Sequence, residues 1–178
     1  MNVIQSKLSG CKIIEPEVHG DERGFFLETY QAERYRALVG ITESFVQDNH
    51  SRSSKGILRG LHFQRTKPQG KLVRVVSGAV FDVAVDIRLN SPTFGCWESV
   101  VLSEDNKTQF WVPPGFAHGF LVLTDSADFE YKCTDFYDST DEVSLLWNDP
   151  DLGISWPNNK PFLSEKDKNA QKLVDLSL

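Results

Sequence analysis

The strongest constraint on this chain is how its apolar residues are parcelled. Short runs rich in Val, Ile, Leu and Phe recur at Cys11–Glu15, Gly24–Tyr30, Ser44–Asn49, Ile57–Gln64, Lys71–Val76, Ala79–Ile87, Glu98–Leu102, Phe110–Val112, Gly119–Leu123, Asp128–Thr134 and Val143–Trp147. Turn chemistry separates them, as at Ser77-Gly78, Asn90-Ser91-Pro92, Pro113-Pro114-Gly115 and Asn148-Asp149-Pro150. Runs this short, bounded this way, are strands, because each is too brief for a helix and ends on residues that turn the chain. The pattern predicts a mainly all-β fold, a jelly-roll barrel or sandwich with a few short helices. One helix is expected over Gln31–Val39, with Ala32, Tyr35 and Leu38 on one face and Gly40 as the stop. A second is expected from the N-cap candidate Ser164, with Asp167 in the first turn, to about Leu176. No repeat or linker interrupts the chain, so residues 1–178 read as a single domain with a short helical tail from about 164.

Charge adds a second constraint. The formal net charge of -6 argues against a nucleic-acid or membrane-surface binder. No apolar stretch approaches a bilayer span, and the first ten residues carry no hydrophobic signal core. Cys11, Cys96 and Cys133 are odd in number and form no CxxC pair, which fits reduced thiols in a cytoplasm. Yet Asn49 to Phe81 contains no Asp or Glu, while holding Arg52, Lys55, Arg59, Arg65, Lys67, Lys71 and Arg74 with His50 and His62. A cationic segment in an acidic chain suggests a bound phosphate or pyrophosphate, since guanidinium groups grip phosphate oxygens in pairs. Charged strands that simply face water would give the same composition. Parity poses a difficulty within Leu58–Gln64: period two places His62 with Gly60 and Gln64, but Arg59 with Leu61. Both can serve one pocket if the strand is bulged, with Gly60 the candidate bulge residue, or if Arg59 sits at a strand end.

Small barrels of this kind often hold a metal between histidine clusters. Here the segment reads His62-Phe63-Gln64, so the second histidine of a His-x-His pair is missing, and no partner carboxylate follows. A divalent ion needs several convergent ligands, so no metal is expected. Pro113–His118 resembles the second motif of metal-binding cupins, with His118 at the ligand position. His118 then reads either as a hydrogen-bonded core histidine beside Phe120 or as a substrate contact.

Taken together, Gly20–Phe26 (GDERGFF), Phe45–Ser51 (FVQDNHS), Leu58–Gln64 (LRGLHFQ), Gln69–Arg74 (QGKLVR), Phe81–Arg88 (FDVAVDIR), Ser91–Gly95 (SPTFG), Pro114–Phe120 (PGFAHGF) and Trp147–Pro150 (WNDP) resemble the dTDP-4-dehydrorhamnose 3,5-epimerase family. The likeness runs in order along nearly the whole chain and thins in the tail to Leu163–Asp167. It implies a cupin-type jelly-roll barrel that epimerises a dTDP-linked 4-keto-6-deoxy sugar, without metal or nicotinamide, as a homodimer with exchanged N-terminal strands. It implies His62 as base, Tyr131 as acid, Asp167 as the carboxylate orienting His62, and Lys71 as the cation near the keto oxygen. Nucleotide-sugar contacts fall to Arg23, Glu28, Gln47, Asp48, Asn49, Arg59, His118, Glu142 and Lys166, with Tyr137 where the family stacks an aromatic on thymine.

The chemistry asks for these residue types. A proton beside a ketone is acidic only because the carbonyl oxygen can take up charge. Removing it needs a base that titrates near neutrality, the usual use of histidine. A carboxylate on the other ring nitrogen fixes the tautomer. A fixed cation stabilises the enolate oxygen. Inversion also needs an acid on the opposite face of the sugar, and period two puts Tyr131 on one face with Phe129 and Cys133, as for a barrel interior. Rival readings are a related barrel enzyme inverting one carbon or acting on another nucleotide-linked keto sugar, a non-catalytic nucleotide-sugar binder, and a metal-dependent cupin.

Overall fold

In the computed structural model, which describes residues 1–178, the chain runs through β1 (Asn2–Gln5), β2 (Lys12–Glu15), β3 (Val18–Asp21), β4 (Gly24–Leu27), α1 (Ala32–Leu38), β5 (Gln47–Ser54), β6 (Leu58–Gln64) and β7 (Lys71–Ser77). It continues through β8 (Ala79–Asp86), β9 (Trp97–Ser103), β10 (Gln109–Val112), β11 (Phe116–Val122), β12 (Ser126–Cys133), β13 (Glu142–Ser144), α2 (Glu165–Lys168) and a 3-10 turn at Leu173–Asp175. A six-stranded sheet, β1-β2-β10-β7-β12-β5, faces a five-stranded sheet, β13-β6-β11-β8-β9, and β3 pairs with β4 as a separate hairpin. This is the expected cupin-type jelly roll. No helix is long and apolar enough to cross a membrane.

Alternation decides which side chains meet. Val73 and Val75 of β7 and Ala127 and Phe129 of β12 point inward from one sheet, and Val80 and Ala84 of β8 with Phe120 and Val122 of β11 point inward from the other. Phe120 and Phe129 stack across this space with ring centroids 4.1 Å apart. Each of the Val and Phe side chains, fully buried, contributes about 1.5–3 kcal/mol. β8 is buried on both faces: Val83 and Val85 point outward and are covered by Leu145, Leu152 and Leu176. The six-stranded sheet buries Ile14, Leu72 and Trp111 on its outer face beneath Tyr35 and Val39.

Several boundaries depart from those the sequence predicts. The run expected at Ser44–Asn49 is β5, three residues later at its start and extending to Ser54. Its Ser-Arg-Ser-Ser end carries no apolar signal because one face of it lines a polar pocket. Strands β1 and β3 were not expected, and Val143–Trp147 contracts to β13. In α1 the predicted apolar face is wrong. Tyr35 is buried, but Leu38 is 56% exposed and Val39 is the second anchor. Gly40, at a φ of 86°, does stop the helix. The tail is not one helix to Leu176. Ser164 caps α2 as expected, but the helix ends at Lys168. Gln171 then bridges to Leu145, and the Leu173 N–H donates to Asp149, so the chain is drawn down to cover the outer face of the five-stranded sheet.

The parity difficulty is resolved by a bulge. On β11, His118 pairs with His62 and Phe120 with Arg59, so Gly60 and Leu61 together oppose Gly119. Gly60 has a φ of 119°. A Cβ on it would lie 2.6 Å from the Gly119 Cα, and one on Gly119 would lie 2.5 Å from the Arg59 carbonyl oxygen. Only two glycines allow this approach. Leu58, Leu61 and Phe63 can then face outward while Arg59 and His62 both face inward. Gly60→Ala is expected to lower stability by about 3 kcal/mol in urea unfolding, combining left-handed strain with overpacking. An unchanged midpoint would show that the strands have room to spare.

Candidate active site

A pocket of about 450 Å3 opens between the two sheets. The five-stranded sheet supplies Arg59, His62 and His118, the six-stranded sheet supplies Ser51, Lys71, Phe129 and Tyr131, and the tail closes one side with Phe162 to Ser164 and Asp167. The chain thus brings all four expected catalytic residues, spread over 105 positions from His62 to Asp167, to one cavity.

His62 is fixed from below. Its Nε2 lies 2.6 Å from Asp167 Oδ1. Asp167 is 2% exposed and is held by the α2 cap, where its own N–H donates to the Ser164 hydroxyl. Burial pushes the Asp167 carboxyl up, but His62, the Ser164 hydroxyl and the Gly60 N–H outweigh it, and it lies below its ordinary value. The carboxylate therefore keeps its charge against His62. The other ring nitrogen, Nδ1, is 3.6 Å from Glu142 Oε1.

Opposite His62, Tyr131 projects from β12. Its hydroxyl makes no hydrogen bond within the chain, and burial, reinforced by the charges of Cys133 and Glu142, pushes its pKa up to about 12. It holds its proton firmly until something takes it. Lys71, half-buried beside Cys133, has no ion-pair or hydrogen-bond partner, and burial lowers its pKa while Cys133, Glu142 and Asp82 act against that shift. A desolvated ammonium without a partner is costly unless the site supplies an anion. Arg59 spends only its Nε, on the Ser53 hydroxyl at 2.9 Å, which leaves the rest of its guanidinium for a ligand.

The remaining expected residues divide. Gln47 and Asn49 lie on the inward face of β5, joined by a hydrogen bond of 3.0 Å, and Asn49 also donates to Cys133 Sγ. Asp48 points outward and pairs with Lys132. At the rim, the Tyr137 hydroxyl donates to Glu142 at 3.0 Å, Lys166 also contacts Glu142, and Gln47 accepts from the Tyr137 N–H. Arg23 and Glu28 are not brought to the pocket within one chain. Arg23 pairs with Asp21 on the exposed β3–β4 hairpin and Glu28 pairs with Arg34. Sequence reading missed Asp82, which bonds His118 from beneath. Its signal was an acid in the middle of the apolar β8, on the inward parity it shares with Asp86 at the strand's end.

A cleft of about 350 Å3 on the outer face of the six-stranded sheet is less suited to a ligand. Its charges are mutually satisfied, Asp48 by Lys132 and Arg74 by Glu130. His62 and His118 are register neighbours, but each is tied to a separate carboxylate, and no group of three or more His, Cys, Asp or Glu converges as a metal site.

Known proteins resemble this chain along nearly its whole length. The family model described as dTDP-4-dehydrorhamnose 3,5-epimerase matches residues 5–175. The dTDP-4-dehydrorhamnose 3,5-epimerase of Shigella flexneri is 55% identical over 98% of this chain and 97% of its own. The crystal structure of dTDP-6-deoxy-D-glucose-3,5-epimerase from Legionella pneumophila, in complex with dTDP-4-keto-L-rhamnose, is 58% identical with a TM-score of 0.96, covering 98% of this chain and 94% of that one. A 3'-monoepimerase from Streptomyces bikiniensis, in complex with dTDP-quinovose, is 38% identical with a TM-score of 0.89, covering 95% of this chain and 86% of that one.

The geometry at His62 makes a direct demand on Asp167. Asp167→Asn is expected to slow solvent-deuterium uptake into substrate by about 100-fold through loss of a properly oriented base. Uptake at the wild-type rate would show that His62 does not depend on that carboxylate.

Proposed function

The chain belongs to the dTDP-4-dehydrorhamnose 3,5-epimerase family, and we propose that it converts dTDP-4-keto-6-deoxy-D-glucose to dTDP-4-keto-L-rhamnose by inverting carbons 3 and 5 of the sugar. The observation that carries this reading is the placement of His62 and Tyr131 on opposing sheets of one pocket, with an unpartnered Lys71 beside them.

His62, oriented by Asp167, removes the proton alpha to the ketone. The C–H pair moves into the ring bond and the carbonyl pair onto oxygen, forming an enolate that the Lys71 ammonium stabilises. Tyr131 delivers a proton to the same carbon from the opposite face, and the carbonyl reforms. Repeating the sequence at the second carbon requires that His62 release its proton to solvent, that Tyr131 regain one from it, and that the sugar present the second carbon to the same pair. Arg59 lines the approach that a diphosphate and nucleotide would take, Asn49 bonds Cys133 on the inward face of β5, and Tyr137, with Gln47 on its N–H, sits at the rim where a base can stack. Gln47, Glu142, His118 and Lys166 complete the contacts in this reading, while Asp48, expected among them, faces the outer surface and pairs with Lys132.

Arg23 and Glu28 fit the same scheme through a second copy of the chain. The hairpin that carries Arg23 is exposed, with Phe25 at 60% and Phe26 at 71%. A homodimer exchanging N-terminal strands would cover those rings and carry both residues to the partner's pocket. The three cysteines form no disulfide, which suits a reducing cytoplasm.

The test is incubation of the wild-type protein with dTDP-4-keto-6-deoxyglucose in deuterated water, followed by NMR of the sugar. Label and inversion at both carbons are expected. Label at one carbon alone would make this a monoepimerase, and label at neither would make it a binding protein.

A further inference from the structure

A second histidine–carboxylate pair at the inner wall of the pocket is not used in the steps above. Asp82 of β8 is fully buried, and both its oxygens lie 2.9 Å from Nε2 of His118 on β11. His118 is Asp82's sole hydrogen-bond and ion-pair partner. His118 lines the pocket, and its Nδ1 makes no hydrogen bond within the chain. The titratable groups that line the pocket with it are Arg59 and His62 of β6, Lys71 of β7, Tyr131 of β12 and Asp167 of α2, with Asp82 of β8 buried behind it, while Phe129 stacks on its ring with centroids 6.2 Å apart.

We propose that Asp82 is a positioning residue that makes His118 a fixed hydrogen-bond donor, its Nδ1–H aimed at the substrate oxygen that becomes the enolate. The proposal rests on the epimerase reading and assigns that oxygen a second holder opposite Lys71.

The number of protons on the pair decides what Nδ1 carries. If Asp82 were a carboxylate and His118 a neutral ring donating from Nε2, Nδ1 would be bare and the buried pair would carry a net negative charge. Burial opposes that state, and it pushes the Asp82 carboxyl up despite the charges of His118 and Lys71. One further proton makes the pair neutral overall. It is then either a carboxylic acid donating to Nε2 of a neutral ring, or a carboxylate facing an imidazolium. In both arrangements Nδ1 carries hydrogen, so the donor persists however the proton is shared. Lys71 is the other cation that Asp82 feels, and it enters from the opposite sheet. An oxygen between Lys71 and His118 would be held by preorganised donors from both walls, where charge develops in the transition state.

Asp82→Leu removes the partner while keeping the volume filled. It is expected to lower kcat by about 100-fold with little change in KM, because the lost interaction is made mainly in the transition state. Asp82→Asn should restore most of that loss, since its amide N–H can donate to Nε2 and keep the proton on Nδ1. A purely structural role would lower the melting temperature without the split between kcat and KM or the rescue by Asn. In the wild-type protein, long-range proton–nitrogen correlation spectra should show Nδ1 of His118 protonated across the neutral pH range, a measurement that needs no variant to fold. A bare Nδ1 at neutral pH, or wild-type turnover in Asp82→Leu, overturns the proposal. Failure of the epimerase reading is seen separately, as absence of turnover in the wild type, and the His118 spectrum still decides whether the donor exists.

Discussion

The close approach of Gly60 to Gly119 is the constraint on which the site depends. A regular β6 would place Arg59 and His62 on opposite faces, one in the pocket and one in the outer core. The bulge places two residues of β6 against one of β11, and the two glycines remove the side chains that would forbid it. Everything downstream uses that geometry. His62 is turned toward the cavity, where Asp167 can reach its Nε2, and the Gly60 backbone helps to hold the same carboxylate charged. The tail must fold back over the barrel to deliver Asp167. That is why it is a single capped turn followed by a bridge rather than a long helix.

Electrostatics explains what the pocket is for. Protein interiors normally pair their polar groups. Here Lys71, the Tyr131 hydroxyl and most of the Arg59 guanidinium are left without partners, while His62 and His118 each hold a buried carboxylate on the far side of the ring. Such a cavity is poised for a ligand with several oxygens, one of which changes charge during reaction. The outer cleft, with its charges already matched, offers no comparable opening.

Much of this was legible in the residues. The strand runs, the Gly40 stop, the Ser164 cap and the inward parity of Tyr131 follow from local chemistry, and Gly60 was identifiable as the bulge because His62 and Arg59 could not otherwise share a face. What was not legible has a physical cause in each case. β5 ends in Ser and Arg because it lines a polar cavity, so it lacks the apolar signature of a strand. Leu38 looked like an anchor by spacing, but the helix sits across the sheet so that Tyr35 and Val39 bury instead. Asp82 gave only one weak sign, an acid among apolar residues, and its partner His118 is 36 positions away. The roles of Arg23 and Glu28 depend on contacts beyond a single chain.

The central claim is that proton removal and proton return occur from opposing sheets through different side chains. Tyr131→Phe tests it most directly, because the ring and its packing are kept and only the hydroxyl is lost. NMR of deuterium content and stereochemistry at carbons 3 and 5 would follow incubation in deuterated water. The account predicts that His62 still forms the enolate and returns a solvent-derived proton to the original face, giving label without inversion, most clearly at carbon 5. Normal inversion at both carbons at the wild-type rate would contradict it and would make Tyr131 a wall of the barrel and not its acid.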